Sequence, residues 1–184
     1  TIVPSGCSPR EALRRLNARL IRDTSENVFV TMTYGILDHR TGAFRFARCG
    51  HEPTITFHPS LSHVDLHTPD GIALGLVADE VFDTVEEMEV RPDPGGAFVL
   101  YTDGVIEAHD AAGAEYGQDR LLSRIENHRG GAQELVNLVV DDIERFTAGL
   151  PQYDDMTMVV IRYLGTAAQA GGVARLPAAE AGGR

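Results

Sequence analysis

From Val28 to Cys49 the sequence follows a period of two and reverses once, and this constrains the fold more than any other feature. Val28, Val30, Met32, Tyr34 and Ile36 share one face of the first run, and Thr31, Thr33 and Gly35 share the other. Asp38-His39-Arg40-Thr41-Gly42 supplies a turn, and Ala43 to Cys49 returns as the second strand of a hairpin. Shorter strands are predicted near Thr54 to Phe57, Ser62 to Leu66 and Thr84 to Val90. Ala97 to Tyr101 is apolar throughout, which marks a central strand, and Met156 to Tyr163 is the last one.

Helices flank this block of strands. Ser8 and Glu11 fit a capping box, with Pro9 at the first helical position, where its missing N–H costs nothing. Leu13, Leu16, Leu20 and Ile21 then recur on one face. Arg10, Arg14, Arg15, Arg19 and Arg22 surround the rest; they read as a solvated face, or as an edge that docks an acidic partner. Two further helices are predicted, Gly117 to Asn127 and Gln133 to Phe146, each ending at glycine. Strands in a block with helices grouped apart indicate an α+β fold. Residues 1–164 form one domain, and the Ala/Gly-rich stretch 165–184 is expected to be a disordered tail.

Composition excludes several functions. The 184 residues suit one domain, and no apolar run approaches the ~20 residues that cross a bilayer. No signal-peptide pattern opens the chain. Sixteen basic against 27 acidic residues give a net charge of −11, which repels nucleic-acid backbones. Cys7 and Cys49 are the only cysteines and form no CxxC, so a cytoplasmic setting is expected.

Chemistry concentrates at strand ends. Asp103 follows the central strand in Tyr101-Thr102-Asp103-Gly104, and Asp154-Asp155 precede the last one. If those strands are neighbours, the carboxylates converge and call for a cation, and hard oxygen ligands suit Mg²⁺ or Mn²⁺. The same residues also read as an Asp-Gly turn and a strand-start cap. Gly50-His51-Glu52-Pro53 is a tight loop whose histidine is either solvated or a proton carrier near phosphate. His58, His63 and His67 are too irregularly placed across strand and loop to favour zinc. Asp79 to Asp93 reads as a strand with a solvated acidic face. No nucleophile elbow, P-loop or dinucleotide fingerprint is present.

Six segments in one order carry a resemblance. They are Phe29 to Asp38, Cys49-Gly50-His51-Glu52-Pro53, Gly71-Ile72-Ala73-Leu74-Gly75-Leu76, Leu100 to Ala108 with Thr102-Asp103-Gly104 at its centre, Tyr116-Gly117, and Asp154-Asp155-Met156-Thr157. Over about residues 8 to 163 this series resembles the SpoIIE/RsbU-type serine phosphatases, a branch of the metal-dependent type 2C protein phosphatases. The resemblance implies an αββα sandwich of two antiparallel sheets flanked by helices, with a dinuclear Mn²⁺ or Mg²⁺ centre. It also implies that Asp103 and Asp154 are the catalytic metal ligands. Gly104 is a further metal contact by the same resemblance, and Gly50, His51 and Asp155 lie around the substrate. The implied reaction is in-line hydrolysis of phosphoserine or phosphothreonine.

The implied substrate is a phosphorylated anti-sigma-factor antagonist of the STAS type, in partner-switching signalling. An upstream sensor or regulatory domain is the implied neighbour, and a homodimer is a compatible assembly; neither nucleic acid nor membrane is expected as a partner. The family's Gly-Asp-Val-x-Gly-His-Gly segment, whose aspartate bridges both metals, does not occur in this sequence. The domain is therefore expected to be truncated at its N-terminus. The alternative to an enzyme is a degenerate phosphatase fold that captures a regulatory partner without cleaving phosphate.

Overall fold

The computed structural model describes residues 6–24, 28–77, 82 and 84–165. All of the expected tail except Gly165 lies outside them. The first helix, α1 (Pro9–Asp23), is capped by Ser8, whose hydroxyl accepts the Glu11 N–H at 3.3 Å. Its arginines engage locally: Arg14 and Arg15 pair with Glu11 at 3.0 and 2.7 Å, and Arg19 pairs with Asp23. Such exposed pairs contribute little to stability.

Among the described residues seven strands follow: β1 (Met32–Asp38), β2 (Ala43–Cys49), β3 (Thr54–His58), β4 (His63–His67), β5 (Glu87–Val90), β6 (Ala97–Tyr101) and β7 (Met158–Arg162). A 3₁₀ turn (Asp103–Val105) and two helices, α2 (Gln118–Glu126) and α3 (Ala132–Thr147), lie between β6 and β7. One sheet has the order β1-β2-β5 and the other β4-β3-β6-β7, and all pairings are antiparallel. The period-two reading extends too far upstream. Val30 makes only an isolated bridge to Leu74, and the ladder with β2 starts at Met32, paired with Cys49.

Side-chain alternation builds the layers. Phe44 and Phe46 of β2 point between the sheets and meet Phe98 of β6, with ring centroids of Phe44 and Phe98 5.1 Å apart. The opposite face of β2, Ala47 and Cys49, packs under Leu13 of α1, which is 1% exposed. Burying such a leucine contributes about 1.5–3 kcal/mol. The outer face of the second sheet, Ile55, Val99 and Tyr101, is covered by Leu121 and Ile125 of α2 and Leu135 and Val139 of α3. The layers are therefore helix, sheet, sheet, helices, the expected αββα sandwich, with β6 central between β3 and β7.

Candidate metal centre

The site grows from the pairing of β6 with β7, which sets Tyr101 opposite Met158. Antiparallel pairing puts the end of one strand beside the start of the other, so the segment 154–157 runs alongside 102–104. Thr102 fastens them. Its N–H donates to the Thr157 carbonyl at 3.0 Å, and its hydroxyl donates to the Asp155 carbonyl and accepts the Thr157 N–H, both at 2.9 Å. Gly104 is required by this approach, because a Cβ there would lie 2.6 Å from the Asp155 carbonyl oxygen.

After Gly104 the chain turns once. The Ile106 and Glu107 N–H groups both donate to the Asp103 carbonyl at 2.9 Å. That turn carries the Glu107 side chain back over Asp103. Carboxylate oxygens of Asp103, Glu107 and Asp154 all lie within 4.8 Å of one another, with Glu107 half-buried and the two aspartates exposed. Each aspartate also accepts a local N–H: Asp103 from Gly104 at 3.0 Å and Asp154 from Asp155 at 2.7 Å. Among the described residues none of the three forms a salt bridge. Three unneutralised carboxylates this close repel one another. An all-oxygen, charged donor set of this kind fits Mg²⁺ or Mn²⁺ better than softer metals.

The Gly50–Pro53 loop stands beside this triangle. Gly50 turns with a φ of +67°, a conformation that favours glycine. The His51 ring is half-buried, with Nδ1 3.3 Å from the Thr31 hydroxyl, and Arg48 donates to the His51 carbonyl at 2.6 Å. Burial pulls the His51 pKa below its ordinary value; the charge of Asp103 opposes this and Arg48 reinforces it. Burial thus favours the neutral ring. Burial raises the Glu52 carboxyl, and the charges of Asp103 and Glu107 push it further, against Arg48.

The structure thus brings Asp103, Gly104 and Asp154 together and sets Gly50 and His51 nearby, whereas Asp155 contributes its carbonyl to Thr102. Sequence reading gave no role to Glu107 or Glu52. Glu107 stands four residues after Asp103, one helical turn, but Asp103-Gly104 reads as a turn that ends regular structure rather than starting it. The three histidines at the other edge form no metal group among the described residues. His58 and His63 both contact Asp65, at 3.3 and 3.1 Å, and His67 hydrogen-bonds Thr56 at 2.9 Å.

Comparison with known proteins matches residues 1–164 to the family described as Stage II sporulation protein E (SpoIIE). The phosphoserine phosphatase RsbU of Bacillus subtilis is 28% identical over 160 residues, 86% of this chain and 46% of that protein. Among solved structures, the SiaA-PP2C domain of Pseudomonas aeruginosa superposes with a TM-score of 0.73 at 20% identity, over 85% of this chain and 61% of that one. The manganese-presoaked phosphatase domain of SpoIIE from Bacillus subtilis gives 0.61 at 20% identity, over 88% and 69%. The chain therefore spans about half the length of RsbU and somewhat more of the solved domains.

Proposed function

Because the chain belongs to the SpoIIE family of PP2C-type phosphatase domains, we propose that it is the metal-centred part of a protein serine/threonine phosphatase. The observation that carries this reading is the triangle of Asp103, Glu107 and Asp154, three clustered carboxylates that form no salt bridge among the described residues. Asp103 and Asp154 are the catalytic metal ligands in this reading, Glu107 joins them, and Gly104 lets the two loops close. Divalent cations, Mn²⁺ or Mg²⁺, would supply charge neutralisation for the phosphoryl group and an acidified water at neutral pH.

The chain's own residues do the rest. Thr102 fixes the spacing of the ligand loops. His51, whose neutral form burial favours, is available to hydrogen-bond the phosphoryl group or the departing serine oxygen, and Gly50 lets its loop turn close to the site. Asp155 shapes the site through its backbone. No helix of the described residues is long and apolar enough to cross a membrane. We place the reaction in the cytoplasm, on a phosphorylated anti-sigma-factor antagonist of the STAS type. This rests on the likeness to RsbU, named a phosphoserine phosphatase. Hydrolysis of p-nitrophenyl phosphate and of a phosphoserine peptide, with Mn²⁺ and then with excess chelator, tests the reading. Activity that needs the metal supports it, and equal rates in chelator refute it.

A further inference from the structure

Beside the carboxylate triangle a groove of about 560 Å³ opens between the loop after the 3₁₀ turn and the segment after α3. Glu107 belongs to both the groove and the triangle, so the groove adjoins the candidate metal centre. Its other walls include His109, Glu115, Leu150, Tyr153 and Met156. A second hollow of about 320 Å³ continues it along α3, sharing Leu150 and Met156 and adding Val140 and Glu144. The volume suits a few side chains rather than one atom group.

Two features of the wall point to its occupant. Tyr153 is 82% exposed, the most exposed large hydrophobic residue among those described, and its ring stands edge-on to His109 with centroids 5.8 Å apart. An aromatic this exposed is the kind of anchor that recognises a polypeptide. The charge on the wall is acidic: Glu107, Glu115 and Glu144 line it, and among the described lining residues His109 is the one titratable base, its Nε2 3.9 Å from Glu115. Acidic walls around an apolar floor complement basic and apolar side chains.

We propose that this groove binds the polypeptide flanking the phosphoserine, selecting apolar and basic residues there, with Tyr153 as anchor and Glu115 as the charge selector. The inference rests on the phosphatase reading and names the substrate segment that the site takes. The groove explains how a centre that reads only a phosphoryl group distinguishes one phosphoprotein from another.

The test measures binding, without turnover. Two fluorescein-labelled phosphoserine peptides are titrated with the chain by fluorescence anisotropy, one flanked by Leu and Lys, the other by Ala and Glu. The first peptide is expected to bind more tightly. Tyr153→Ala should weaken it about tenfold, a loss of the size an aromatic anchor gives. Glu115→Lys should reverse the preference, whereas Leu61→Ala, a change at another highly exposed position in the β3–β4 turn, should leave both affinities unaltered. Equal affinity for the two peptides, binding insensitive to Tyr153→Ala, or no binding at all overturns the proposal. So does sedimentation showing a dimer that Tyr153→Ala dissolves, which would give the groove to a second copy. Metal-dependent hydrolysis of p-nitrophenyl phosphate is measured separately. Its absence beside intact peptide discrimination would refute the catalytic reading and leave the groove as a docking surface.

Discussion

The hydroxyl of Thr102 donates to the carbonyl of Asp155 at 2.9 Å and simultaneously accepts the Thr157 N–H at 2.9 Å. One side chain thereby spans the two loops that carry Asp103 and Asp154. Thr102→Val keeps the shape and removes both bonds, which are exposed to water, a cost of about 0.5–1.5 kcal/mol for each. Thr102→Ser should recover most of that stability. Thermal melts of the three proteins check it, and a valine variant as stable as the serine one would show that the bridge does not hold the loops.

Gly104→Ala attacks the same junction sterically. The added Cβ meets backbone, the Asp155 carbonyl oxygen at 2.6 Å, which has no rotamer to escape through. Separating the loops should cost about 1–3 kcal/mol and weaken Mn²⁺ binding by calorimetric titration. Unchanged metal affinity would mean that loop spacing does not set the site.

Asp142 of α3 gives a pH prediction with a definite sign. Its side chain is 3% exposed and accepts from Arg120 at 2.9 and 3.1 Å, from Arg124 at 2.9 and 2.8 Å, and from the Tyr116 hydroxyl at 2.9 Å. Arg120 first, then Arg124 and Tyr116, hold the carboxyl well below the usual range, and burial opposes them. The folded pKa is thus lower than the unfolded value of about 3.9. The stabilisation is fully present above that value and is lost as pH falls through the folded pKa. Asp142→Asn should lower stability at pH 7 by about 2 kcal/mol, since charged hydrogen bonds are lost. Its urea-denaturation midpoint should also fall less steeply below about pH 4 than that of the wild type. Parallel acid profiles would contradict this account.

Much of this architecture is legible in the sequence because it rests on local periodicity. The reversal at Asp38 to Gly42, the Ser8 cap and the apolar run Ala97 to Tyr101 each fix one element without outside help. Boundaries are less legible: Val28 and Val30 continue the alternation of β1, but among the described residues only the isolated bridge from Val30 to Leu74 meets them. The site was half visible. Asp103 and Asp154 lie at strand ends that any antiparallel pairing could join, whereas Glu107 enters only through a 3₁₀ turn that follows an Asp-Gly pair. The groove walls are assembled from segments distant in the sequence (Glu107 and Tyr153), so no local pattern announces them.

Glu107→Gln removes one charge from the triangle while keeping the side-chain size. Relief of repulsion should leave the metal-free protein as stable as the wild type or more so. The Mn²⁺ concentration needed for half-saturation should rise at least severalfold. Equal metal affinity would remove Glu107 from the centre without touching the two aspartates.

The central claim is that Asp103, Glu107 and Asp154 are held together to take a divalent cation. The direct measurement is the melting temperature of wild type and Asp154→Asn, each in chelator and in Mn²⁺. A ligand that binds only the folded state stabilises it by about 2.7 kcal/mol at a hundredfold excess over its dissociation constant. The wild type should therefore melt several degrees higher in Mn²⁺. Asp154→Asn should match or exceed the wild type in chelator and gain almost nothing from the metal. An equal metal-induced rise in both proteins, or none in the wild type, would contradict the assignment of this triangle as the metal centre.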